Sequence, residues 1–143
     1  MSSVVKVSEA ATLALHTMVF LAANPGERFS VKQIAGTHDV SEAHLSKVLQ
    51  RLAKVGLVNS TRGPKGGFVP ARAADEITLL DVYEAVDGPL SPMTCLFGTP
   101  ICNGRRCIMG DVLKMVNEQT KTYLTQTTIL DVADVYHGES NDD

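Results

Sequence analysis

Apolar residues recur along this chain with two periods, and the switches between them mark its elements. From Ser8 to Ala23 the residues are helix formers and apolar almost all round, which predicts a buried first helix ended by Asn24-Pro-Gly26. His16 inside it reads as a packed or partly exposed helix residue. Ser30 with Gln33 three residues on has the form of a capping box, so a short helix is expected there, with Gly36 suited to end it and a turn through Thr37-His-Asp-Val40. Ser41 can cap the next helix, to Val55, in which Leu45, Val48, Leu49, Leu52 and Val55 recur at the spacing of one buried face. The pattern then shortens: Leu57–Thr61 and Phe68–Pro70 read as two strands joined by Arg62-Gly-Pro-Lys-Gly-Gly67.

Beyond the hairpin, Thr78 can cap a helix with apolar face Leu79, Val82, Tyr83 and Val86, stopped by Asp87-Gly-Pro89. Leu90 to Gly110 shows no sustained period and is rich in Gly, Pro, Ser and Thr. A long helix is expected from Asp111 to about Gln126, with Val112, Met115, Val116, Gln119 and Tyr123 along one stripe. Thr128 looks like the cap of a short last helix through Val135. Residues 1–6 are expected to fray, and the acidic tail from Gly138 to be disordered. No internal repeat is visible.

At 143 residues, 44% hydrophobic and 20% charged, the chain fits one globular domain with a helical appendage. It has no membrane-spanning apolar run and no signal-peptide layout at its start, which points to the cytoplasm with no membrane partner. The net charge of −3 hides an asymmetry. Between Arg28 and Arg72 eight Lys and Arg stand against two acids, a net of +6, so the remainder carries −9. Concentrated cation is what phosphate neutralisation requires.

That cation is arranged. His44, Lys47, Arg51 and Lys54 recur three or four apart on the helix from Ser41, opposite its apolar face, as a recognition helix requires. Arg62 and Lys65 flank glycines that let backbone approach a phosphate. Helix, turn, basic helix and basic hairpin make a winged helix-turn-helix, and duplex DNA is the expected partner. Ser41, His44 and Lys47 are expected to approach base edges and Arg51, Arg62 and Lys65 to hold phosphates, with Ser30, Lys32, Gly66 and Gly67 also at the interface. The stripe on the long helix would be satisfied by a second copy, giving a homodimer whose two reading heads meet successive major grooves.

Cys95, Cys102 and Cys107, an odd number spaced C-x6-C-x4-C, argue against a disulfide framework. Gly98, Pro100 and Gly104 can bend the loop so that the thiols converge. Arg105 and Arg106 favour thiolate and would offset a metal–thiolate charge. The site suits an iron–sulfur cluster (2Fe-2S or 4Fe-4S) or zinc. The spacing lacks the close pair usual for structural zinc, and a cluster normally takes four ligands where three cysteines are present.

Together these features resemble the Rrf-type family of bacterial winged-helix regulators, which includes the iron–sulfur cluster regulator and the nitric-oxide-sensitive repressor. The resemblance rests on Leu45 with Leu52, Gly56-Leu-Val58, Arg62-Gly-Pro-Lys-Gly-Gly-Phe68, Ile77-Thr-Leu-Leu-Asp-Val82, Ala85-Val-Asp-Gly88, the three-cysteine loop and Thr128-Ile-Leu-Asp-Val132, nearly the whole chain. It implies a dimeric transcription factor, usually a repressor, with a cluster between the sensor loop and the partner's DNA-binding domain. Where some members place a histidine ligand three residues after the third cysteine, this chain has Gly110. Where others use an acid in the first helix, it has Thr12, with Glu9 one turn earlier. A redox-sensing subgroup has a histidine that matches His38, so the resemblance makes His38 the first choice of fourth ligand and Glu9 the second. An exposed His38 beside a DNA phosphate is the plainer alternative.

The expected fold is mainly α with a small β-hairpin wing, a winged helix-turn-helix plus a long dimerisation helix. Residues 1–89 would form the DNA-binding domain, 90–110 the cysteine sensor loop, 111–136 the dimerisation helix and short C-terminal helix, and 137–143 the tail. The expected function is a dimeric, sequence-specific repressor with an iron–sulfur sensor of redox state, nitric oxide or iron–sulfur status. The alternatives are a cluster-free regulator working by thiol oxidation and an iron–sulfur carrier. No nucleotide-binding loop, no H-x-E with a C-x-x-C pair and no Ser, His and Asp constellation supports an enzyme.

Overall fold

Five α-helices and one hairpin follow the order α1 (Glu9–Ala23), α2 (Val31–His38), α3 (Glu42–Lys54), β1 (Val58–Thr61), β2 (Gly67–Pro70), α4 (Leu79–Asp87) and α5 (Val112–Gln126), in a computed structural model that describes residues 5–90, 95–97, 99, 101–103 and 106–136. Residues 1–4 of the expected frayed start, the tail from 137, and residues 91–94, Gly98, Pro100, Gly104 and Arg105 of the expected sensor loop lie outside the described residues.

The helix starts are set by side chains that satisfy orphan backbone donors. Ser8 Oγ accepts from the Ala11 N–H, and Ser41 Oγ from the His44 N–H. Ser30 with Gln33 and Thr78 with Asp81 each form a complete capping box. Gly36 does not end α2. The helix continues two residues to His38 and closes on Asp39 in the left-handed conformation (φ 52°, ψ 51°), which a short polar side chain tolerates. The expected last helix is instead a turn followed by a 3-10 segment, Ala133–Tyr136, although Thr128 and Asp131 bond reciprocally as a cap would.

Helix α1 is the hub: nine of its fifteen residues are buried, and it packs on α3, α4 and the 3-10 segment. Leu45, Leu49 and Leu52 of α3, Ile34 of α2, Val82 of α4 and Ile129 complete the core around Met18 and Leu21. Strands β1 and β2 pair antiparallel, Val58 opposite Pro70 through Thr61 opposite Gly67. Phe29 adds a bridge to Phe68, which ties the wing to the segment before α2. Helix α5 differs from the rest: it buries no residue fully, and Val112, Met115 and Tyr123 are exposed along the expected stripe. No described helix is long and apolar enough to cross a membrane.

Candidate functional site

The face of α3 opposite its buried Leu45, Val48, Leu49 and Leu52 is the part of the molecule best shaped to enter a groove. A turn of 100° per residue puts Ala43, Lys47, Gln50 and Lys54 within about 60° of one another there. All four are exposed. This changes the expected reading ridge. His44 and Arg51 sit on the flank toward α1 and α4: His44 Nδ1 lies 3.7 Å from Glu9 Oε1, and Arg51 Nη1 donates to the Val86 carbonyl at 2.9 Å in the last turn of α4. Charge alone grouped His44 and Arg51 with Lys47. Their angle from the buried stripe separates them from Lys47, which shares its face with the neutral Ala43 and Gln50.

Beside the ridge stands the wing. Arg62 and Lys65 are exposed at its tip, and Lys32 is exposed in the first turn of α2. Ser30 is already used, its hydroxyl accepting from the Gln33 N–H at 3.1 Å. Gly66 and Gly67 shape the hairpin instead of lining its outer surface. A Cβ on Gly66 would lie 2.0 Å from the Thr61 carbonyl oxygen, and one on Gly67 (φ 153°, buried) 2.7 Å from the Phe29 backbone. Arg28, not singled out by sequence, braces this base by donating from Nη1 to Thr61 Oγ1. Among the described residues the only ion pair is His44 with Glu9, so the wing and ridge cations face solvent rather than carboxylates.

The expected fourth ligands part company. His38 is half-buried with both ring nitrogens occupied: Nδ1 is 2.8 Å from the Ile34 carbonyl and Nε2 is 2.7 Å from the Tyr136 hydroxyl. A carbonyl only accepts, so Nδ1 carries a hydrogen and donates to it. The Tyr136 hydroxyl lies 3.0 Å from the His16 carbonyl, and burial pushes its phenol up to about 12. Phe20 packs edge-on against both His38 and Tyr136. His38 therefore joins α1, α2 and the 3-10 segment, with Nδ1 oriented by a backbone carbonyl and Nε2 on the Tyr136 hydroxyl. Sequence could not show this, because Tyr136 lies 98 residues away. The Glu9 side chain is 83% exposed. The exposed His16 bonds the Thr12 carbonyl through Nδ1 at 2.7 Å.

The three cysteines are free thiols, Cys102 exposed and the others half-buried, and Cys107 Sγ accepts from the Met109 N–H at 3.4 Å. Among the described residues no three His, Cys, Asp or Glu side chains gather into a group that could hold a metal. The donor set suits iron–sulfur chemistry in kind.

Comparison with known proteins gives consistent matches. The sequence profile of the Rrf2 family, described as an iron-dependent transcriptional regulator, matches residues 7–135. The HTH-type transcriptional regulator CymR of Bacillus subtilis is 32% identical over 135 residues, 94% of this chain and 94% of that protein. Its structure, that of the global cysteine regulator, superposes with a TM-score of 0.77 at 30% identity, over 92% of this chain and 98% of the other. The HTH-type transcriptional regulator NsrR of Bacillus subtilis is 28% identical over 127 residues, 88% of this chain and 84% of that protein. The structure of T. potens IscR superposes with a TM-score of 0.72 at 27% identity, over 93% and 89% of the two chains.

Proposed function

The chain belongs to the Rrf2 family of winged-helix transcriptional regulators, and from that premise we propose that it is a cytoplasmic, homodimeric, sequence-specific repressor whose cysteine loop senses redox state, nitric oxide or iron–sulfur status. The observation that carries the DNA-binding part is the exposure of Lys47 and Lys54 on α3 and of Arg62 and Lys65 on the wing, whose first strand packs against α3, inside a segment of net charge +6. In this reading Lys47 approaches base edges with Ser41 near the helix start. Arg62, Lys65 and Lys32 hold phosphates and set register. The glycines act indirectly, since Gly66 and Gly67 give the hairpin the close turn that aims the two cations. The exposed stripe on α5 supports pairing with a second copy, which holds two α3 helices at operator spacing.

For the sensor, Cys95, Cys102 and Cys107 would hold an iron–sulfur cluster, with His38 or the exposed Glu9 carboxylate as the candidate fourth donor. When bound, such a cluster supplies a centre whose charge and ligation change with oxidant, nitric oxide or iron supply. The residues of the chain do the transmitting. Glu9 sits 3.7 Å from His44 on α3, so drawing Glu9 away would free one flank of the recognition helix.

A second reading is favoured by a specific observation: Cys102 is exposed, and the chain is 32% identical to a global cysteine regulator. Here the same loop acts through thiol oxidation without iron. Absorption spectroscopy and native mass spectrometry on the full chain prepared without oxygen separate the two. A dimer with the added mass of iron and sulfide, and visible bands lost on Cys102→Ala, is the expected result. A colourless dimer after reconstitution with iron and sulfide, with DNA binding that responds to oxidant, establishes the thiol switch instead.

A further inference from the structure

We propose that Gln50 reads an adenine in the operator, making it a specificity-determining residue on the ridge Ala43, Lys47, Gln50. The inference rests on the DNA-binding reading above. Gln50 lies opposite the buried face of α3 and is exposed, with exposed Lys47 one turn before it and exposed Lys54 one turn after. His44 and Arg51, which otherwise compete for the groove, are turned toward Glu9 and the Val86 carbonyl.

The chemistry of the ridge is ordered along the helix. A neutral carboxamide between two lysines adds nothing to phosphate attraction, so its function at a DNA surface is hydrogen bonding. Its paired donor and acceptor match adenine N7 and N6 in the major groove. Lys47 offers donors only, the match for guanine O6 and N7, while Ala43 offers a methyl group, the match for the thymine methyl. Three residues of helix rise about 4.5 Å, close to the roughly 3.4 Å between stacked base pairs. With α3 lying along the groove, Lys47 and Gln50 would reach neighbouring base pairs, and the half-site is then expected to place an A·T pair beside a G·C pair.

The test is selection of bound duplexes from a randomised library by the full-length protein, its Gln50→Ala variant and its Gln50→Lys variant, followed by affinity measurements on the selected sites. Both substitutions lie on an exposed helix face, and alanine and lysine are good helix formers, so folding is retained and is checked by thermal melting. The wild type is expected to select an A·T pair at one position of each half-site, and replacing that pair to weaken wild-type binding about 5- to 150-fold. Gln50→Ala should lose the preference with its salt dependence unchanged, and Gln50→Lys should shift it toward G·C. Identical motifs from all three proteins would overturn the assignment while leaving DNA binding intact. A wild-type protein that enriches no motif would overturn the DNA-binding reading and this assignment with it.

Discussion

Gly66 and Tyr136 show how single side chains, or their absence, hold the reading head in place. A Cβ at Gly66 meets the Thr61 carbonyl oxygen at 2.0 Å, inside van der Waals contact, so Gly66→Ala must open the hairpin. We expect it to cost about 1–3 kcal/mol and to weaken DNA binding as wing removal would, although no charge changes. A melting curve and an operator titration check both, and wild-type values in each would show that the wing's closeness does not matter. At Tyr136 the hydroxyl donates to the His16 carbonyl and lies 2.7 Å from His38 Nε2, so Tyr136→Phe should cost about 1–2 kcal/mol. The raised phenol pKa has a definite sign. The folded chain holds the proton more tightly than the unfolded one, so this contribution is complete below pH 10 and is lost as pH rises toward about 12. The stability gap between wild type and Tyr136→Phe should therefore narrow in denaturant titrations across that window, and a constant gap would refute the linkage.

The elements sort into those whose cause is local and those whose cause is distant. Ser8, Ser30, Ser41 and Thr78 begin helices because each bonds a backbone N–H within three residues, which is why those starts could be read directly from sequence. The hairpin was legible for the same reason. The end of α2 was not, because Asp39 adopted the left-handed conformation that Gly36 was expected to supply. The roles of His38 and Arg51 were also hidden, since their partners Tyr136 and Val86 are far along the chain. Two tests belong to whole elements. Replacing Arg62 and Lys65 together with alanine should weaken binding on every sequence and reduce the slope of log affinity against log salt by about two, and an unchanged slope would remove the wing from the interface. Met115→Asp with Tyr123→Asp places charge on the exposed stripe of α5, and sedimentation should then show monomer; a persisting dimer would move the interface elsewhere.

At the scale of the molecule, a positive reading head is joined to an acidic remainder through α1, whose first turn carries Glu9 beside His44 and whose cap Ser8 contacts Asp87 at the end of α4. The exit toward the cysteines and the flank of α3 thus meet at one end of one helix. Because α5 buries no side chain fully within its own chain, the proposed pairing of two copies through it would be governed by mass action. Abundance then becomes an input in its own right. Under the proposed dimeric reading, dilution of the chain would vacate operators without any chemistry at the thiols.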